Sequence, residues 1–167
     1  YGNLSLRTGA AKLRVSVITF PGSNCDHDAY QVFSTRGHDT RMVWHKDHDL
    51  CSPDLVILPG GFSYGDYLRC GALARFSPVV KEVMAHAAKG GLVMGICNGF
   101  QILTECGLLP GTLLMNSSLS FICQHQKVRV ETANSPFSKG ISPGTVLDIP
   151  IAHKEGNYYI DDKGLGS

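Results

Sequence analysis

The feature that most constrains this chain is Gly95-Ile96-Cys97-Asn98-Gly99, a G-x-C-x-G turn. It lies between the apolar run Leu92-Val93-Met94, which reads as a buried strand, and Phe100 to Cys106, which reads as a helix. This is the cysteine counterpart of the G-x-S-x-G nucleophile elbow, a sharp strand-to-helix turn that pushes one side chain out at the carboxyl end of a sheet. The two glycines leave room for the tight backbone and for a substrate to approach it. A sulfur at a helix N-terminus faces backbone N–H groups and the positive end of the helix dipole, so the expectation is a thiol biased towards thiolate. The thiolate is the nucleophile, and the turn therefore predicts covalent chemistry at Cys97.

The plainer reading of Cys97 is a buried cysteine in an ordinary turn, since free cysteine is among the most buried residue types. A second segment weighs against it. Leu55-Val56-Ile57-Leu58 is another apolar strand, and it runs directly into Pro59-Gly60-Gly61-Phe62. Two strands ending in glycine turns can bring a backbone N–H from each beside one sulfur. Acyl transfer needs such a pair to hold the oxygen of its tetrahedral intermediate.

Strand and helix signals alternate through the first two thirds of the chain. Arg14 to Phe20 is β-branched and apolar; Asp26 to Thr35 reads as a helix ending before Gly37; Thr40 to Trp44 and Leu55 to Leu58 read as strands. Ser77-Pro78 opens a helix that stops at Gly90-Gly91, and Leu92 to Ile96 is the fourth strand. Continuous apolar strands alternating with helices indicate an α/β fold, a flavodoxin-like or Rossmann-like mainly parallel sheet with helices on both faces. Ligands of such sheets bind beyond the carboxyl ends of the strands, where Gly60, Gly61 and Cys97 fall. After about residue 111 the pattern changes. Phe121 to Cys123, Lys127 to Glu131, Val146 to Ile149 and Asn157 to Ile160 read as an antiparallel extension.

Composition sets limits on function. Apolar content of 43% and charged content of 17% over 167 residues fit one globular domain. A formal charge of +1 gives no reason to expect a nucleic acid or an anionic membrane as partner. No apolar stretch approaches the roughly 20 residues of a membrane span. Tyr1 to Lys12 lacks the apolar core of a signal peptide, so the six cysteines, none in a C-x-x-C pair, read as reduced thiols of a cytoplasmic protein. Cys25-Asp26-His27-Asp28 and His45-Lys46-Asp47-His48-Asp49 contain metal-ligand residue types but sit where polar loops are expected, and no metal site is assigned. No G-x-x-x-x-G-K-[ST] loop for nucleotide phosphates is present. The chain starts without methionine and stops at Lys163-Gly164-Leu165-Gly166-Ser167, which reads as a fragment incomplete at its C-terminus, with residues 1–13 an N-terminal extension and 14–167 the domain.

Pro59-Gly60-Gly61-Phe62 followed by Gly95-Ile96-Cys97-Asn98-Gly99-Phe100-Gln101 resembles the class I, triad-type glutamine amidotransferases. Three further segments narrow the likeness: Phe20-Pro21-Gly22-Ser23-Asn24-Cys25-Asp26, Gly61-Phe62-Ser63-Tyr64-Gly65-Asp66 and Pro150-Ile151-Ala152-His153-Lys154-Glu155-Gly156. Together they resemble the glutaminase subunits of phosphoribosylformylglycinamidine synthases, a family of purine biosynthesis, from about Arg14 to about Asp161. The resemblance implies that Cys97 attacks the side-chain amide of glutamine and passes ammonia to the large synthase subunit. It places oxyanion-hole amides at Gly61 and Asn98 and glutamine-binding positions at Gly60 and Gln101, with Asn116-Ser117-Ser118 as weaker candidates. It implies no metal or organic cofactor in this chain, ATP and Mg belonging to the synthase partner.

The family's base lies in a His-Pro-Glu segment near the C-terminus, downstream of the Pro-Ile-Ala-His-x-Glu-Gly motif. This sequence has no His-Pro-Glu. His153-Lys154-Glu155 has a His-x-Glu spelling but belongs to the other motif, so His153 and Glu155 are read as candidates for the partner surface, the ammonia route or a pinned turn. His86 and His125 read as structural or solvated. Two other functions remain as alternatives: a truncated, non-catalytic subunit that only binds the synthase, and a cysteine hydrolase or redox sensor resembling the DJ-1/PfpI group. That group carries histidine directly after its nucleophile and lacks Gln101, whereas Asn98 follows Cys97 here. Without the His-Pro-Glu pair, the expectation is a poor glutaminase with an uncovered apolar sheet edge.

Overall fold

The structure, a computed structural model, describes residues 11–161. The first ten residues of the expected extension and the closing residues 162–167 lie outside the described residues. Two compact units divide the chain: one runs to Thr112 and takes the chain up again from Tyr159, and the other spans Leu113–Tyr158. The boundary falls where the strand–helix alternation of the sequence gives way after Gly111.

In the first unit, strands β1 (Arg14–Thr19), β2 (Asp39–Trp44), β3 (Leu55–Leu58) and β4 (Leu92–Gly95) form one sheet in the order β2-β1-β3-β4. All its pairings are parallel, with Val15 opposite Leu55 and Leu58 opposite Gly95. Parallel strands need crossovers, and helices α1 (Asp26–Ser34) and α2 (Pro78–Ala88) serve as such; α3 (Asn98–Glu105) follows β4. Alternation along the strands sends Val15, Val17, Leu55 and Ile57 to one face, where they pack with Ala29 and Phe33 of α1. Ile18, Val56 and Leu58 point to the other face and meet Val79, Val80 and Val83 of α2 and Ile102 and Leu103 of α3. β3 is buried at every residue, which is why its sequence is a continuous apolar run. The expected parallel sheet with helices on both faces is what the chain forms.

Two glycines set how closely α3 lies on this sheet. A Cβ on Gly99 would sit 2.9 Å from Leu58 Cβ and inside contact distance of the Leu58 carbonyl, and one on Gly95 would meet Gly99 O at 2.6 Å. The elbow glycines are thus required by backbone approach, as well as by the turn.

The second unit holds β6 (Ile122–Arg129) paired antiparallel with β7 (Val146–His153) through eight residue pairs. Short strands β5 (Thr112–Leu114) and β8 (Asn157–Tyr159) form another two-stranded sheet. The sequence suggested separate strands at Phe121 to Cys123 and Lys127 to Glu131; they are one strand. Gln124, His125 and Gln126 between them are exposed, so no alternation betrays the continuity, and the ladder to Pro150, Ile149 and Ile151 carries it. Among the described residues no helix is long and apolar enough to cross a membrane.

Replacing Gly99 with Ala should cost about 1–3 kcal/mol by forcing α3 off β3, read as a lower midpoint in a urea titration. An unchanged midpoint would mean that α3 is not pressed against Leu58.

Candidate functional site

Cys97 stands between β4 and α3 at φ 51° and ψ −108°. A non-glycine residue at positive φ costs roughly 1–3 kcal/mol and persists only where its surroundings hold it. Here they do: the Ile96 N–H bonds Leu58 O at 2.9 Å, and the Phe100 and Gln101 N–H groups bond Cys97 O at 2.9 and 3.2 Å. The expected elbow is present.

The thiol is not poised as the helix N-terminus alone suggested. Cys97 is accessible to solvent, yet burial around the sulfur pushes the thiol above its ordinary range. The Asn98 backbone N–H opposes that shift, while Cys25 and Asp66 add to it. Desolvation favours the neutral thiol, and the Asn98 N–H works in the other direction.

Gly60 and Gly61 lie beside the elbow at the end of β3. A Cβ on Gly60 would be 3.5 Å from Cys97 Cβ and 3.6 Å from Cys25 Sγ. Gly61 adopts φ 141°, and a Cβ there would meet Asn24 N at 2.8 Å and Ser23 Cα at 2.9 Å. The Pro-Gly-Ser-Asn-Cys loop after β1 braces this turn. Cys25 N–H donates to Gly60 O at 3.3 Å, Phe62 N–H to Gly22 O at 2.9 Å and Tyr64 N–H to Pro21 O at 2.6 Å. The motif over residues 20–26 supports the backbone opposite Cys97.

Residues 63–66 form a tight turn in which Tyr64 and Asp66 take φ of 55° and 54°. Tyr64 anchors it: its hydroxyl lies 2.7 Å from His45 Nδ1 and 2.7 Å from Ser77 Oγ. His45 is buried, and that burial, with Lys46 nearby and Asp47 opposing, lowers its pKa and favours the neutral ring. A cavity of about 560 Å³ opens beside this support, lined by His45, His48, Tyr64, Leu73 and Phe76 but not by Cys97.

Asn98 and Gln101 are both buried. Asn98 Nδ2 donates to Gln101 Oε1 at 2.9 Å, which sets the orientation of the Gln101 amide. Gln101 is buried one helical turn from Cys97. The side chain of Asn98 also reaches Ser63 and Asp66. Sequence reasoning assigned Asn98 a backbone role only and gave Asp66 none; only the fold brings the two together.

In the second unit, His153 ends β7 and its Nδ1 lies 3.1 Å from Asn116 Oδ1. The buried Asn116 also receives the Gly156 N–H at 3.0 Å and donates to His153 O at 3.0 Å. The His153 ring packs over the Cα of Gly156, leaving no space for a Cβ. Of the readings given for His153, the geometry favours a pinned turn; Glu155 lies in that turn. Asn116, with Ser117 and Ser118, lines a cavity of about 400 Å³ in this unit. Among the described residues, no group of three or more His, Cys, Asp or Glu gathers as a metal site.

Comparison with known proteins decides the family. The model of the CobB/CobQ-like glutamine amidotransferase domain matches residues 12–166. This chain belongs to that family. Phosphoribosylformylglycinamidine synthase subunit PurQ of Ruegeria pomeroyi is 56% identical to this amidotransferase domain over 156 residues, covering 93% of this chain and 70% of the relative. The subunit of the same name from a Nostoc species is 56% identical over 154 residues, covering 92% and 69%. Among solved structures, a chain of PurLQS from Thermotoga maritima superposes with a TM-score of 0.86 at 48% identity, covering 91% of this chain and 72% of that one.

Alkylation of Cys97 by iodoacetamide should be slow at neutral pH and climb as pH passes the ordinary cysteine value of about 8.5. A rate already at its plateau at pH 7 would contradict the burial argument.

Proposed function

We propose that this amidotransferase is the glutaminase subunit of a phosphoribosylformylglycinamidine synthase in purine biosynthesis. The observation that carries the reaction is Cys97 at positive φ between β4 and α3, with the Asn98 N–H on its sulfur and the Gly60-Gly61 turn beside it. The thiolate of Cys97 attacks the side-chain carbonyl carbon of glutamine, and the carbonyl π electrons move to oxygen. The N–H groups of Gly61 and Asn98 hold that oxyanion, and Gln101 holds the glutamine. Collapse breaks the C–N bond; the nitrogen takes up a proton and leaves as ammonia. Water then adds to the γ-glutamyl thioester and releases glutamate and the thiol.

The ammonia passes to the large synthase subunit, which amidates formylglycinamide ribonucleotide with ATP and Mg in that partner; this chain's own step requires no cofactor. The reaction belongs in the cytoplasm, where the six cysteines stay reduced. His153 is not proposed as the base, because Asn116 and Gly156 hold its ring in a turn. The family's His-Pro-Glu tripeptide does not occur in the 167 residues, and general-base help is worth roughly 100- to 10,000-fold.

The test is glutamate release by the complex with the synthase partner. Cys97→Ala should abolish it, while Cys51→Ala, at an exposed residue, should leave it intact. Undiminished release from the Cys97 variant would sink the reading.

A further inference from the structure

The β3–β4 pairing ends at Leu58 opposite Gly95, with one further bond from Ile96 N–H to Leu58 O. Beyond it, the turn carrying Gly61 and the turn carrying Asn98 leave the sheet, and an oxyanion hole needs their N–H groups at a fixed separation. The Asn98 carboxamide, 2% exposed, spans that gap. Its Oδ1 accepts the Ser63 N–H at 3.1 Å; its Nδ2 donates to Asp66 Oδ1 at 3.3 Å and to Gln101 Oε1 at 2.9 Å. The amide has one workable orientation, because a backbone N–H only donates and a carboxylate only accepts. Two of the three partners belong to the turn that follows Gly61.

Asp66 is an unexpected residue to find here. It adopts φ 54°, and its charge adds to the forces that keep Cys97 protonated. A carboxylate that works against the nucleophile has its use elsewhere.

We infer that Asp66 is a positioning residue that acts through the Asn98 side chain to lock the Gly61 turn to the start of α3, and so sets the two oxyanion donors. The inference rests on the proposed roles of the Gly61 and Asn98 N–H groups. A misplaced donor leaves glutamine binding in place and weakens the transition state, so the loss belongs in kcat.

The experiment uses the complex with its synthase partner and reads kcat and KM for glutamine. It also compares labelling of Cys97 by a glutamine-mimicking diazo ketone, which needs the oxyanion site, with labelling by iodoacetamide, which needs only the thiolate. Asp66→Ala should lower kcat by about tenfold or more, leave KM within about twofold, and depress diazo-ketone labelling relative to iodoacetamide. Asp66→Asn keeps an acceptor for Asn98 and should retain most of the wild-type kcat. Should Asp66→Ala fail to fold, the exchange Asn98→Asp with Asp66→Asn decides. Asn98→Asp alone sets two carboxylates together and should be impaired, and the double variant should recover at least tenfold of that loss.

Wild-type kcat in Asp66→Ala, or no recovery in the double variant, overturns the inference. An equal fall in Asp66→Ala and Asp66→Asn with a raised KM also overturns it, since the carboxylate would then be meeting the substrate itself. Failure of the underlying reading is separate: glutamate release would survive Cys97→Ala.

Discussion

Everything at this site depends on the close approach of α3 to β3. The contact is backbone on backbone: Gly99 lies against Leu58, and Gly95 against Gly99, with no room for a Cβ at either. That approach lets the chain turn from β4 into α3 through one residue, Cys97, at φ 51°. The strain of roughly 1–3 kcal/mol is held by the buried sheet behind it, in which Val56, Ile57 and Leu58 are each 0% exposed. A looser helix would release the turn and withdraw the sulfur from the Gly60-Gly61 backbone.

The electrostatics of the site then follow from its packing. Burial, Cys25 and Asp66 all keep the Cys97 thiol protonated, against one backbone N–H. Such a cysteine holds its proton more firmly than an ordinary thiol.

Much of this was legible in the sequence. β3 matched residue for residue, because a strand buried on both faces writes itself as Leu55-Val56-Ile57-Leu58. α2 was legible from Ser77-Pro78 at its start and Gly90-Gly91 past its end. The elbow was legible because few residue patterns satisfy so tight a turn. β5, three residues long, and the polar centre of β6 were not, since a two-stranded ribbon buries too little to impose a pattern. At the thiol, helix dipole and desolvation compete, and the burial that pushes its pKa up has no local signal in the sequence. The Asn98–Asp66 bond joins residues 32 apart in the chain, and no local signal carries it. His153 shows another case: its His-x-Glu spelling belongs to a different motif, which leaves the partner surface, the ammonia route or a pinned turn, and its contacts to Asn116 and Gly156 describe a turn.

Whether Cys97 carries the glutamyl group can be read by acid-quenching the complex during glutamine turnover and mapping the mass of the peptide that contains Cys97. The expected result is a gain of one γ-glutamyl group on that cysteine, lost on treatment with hydroxylamine. Active turnover with the Cys97 peptide unmodified at every time point, or with the adduct on another residue, would contradict it.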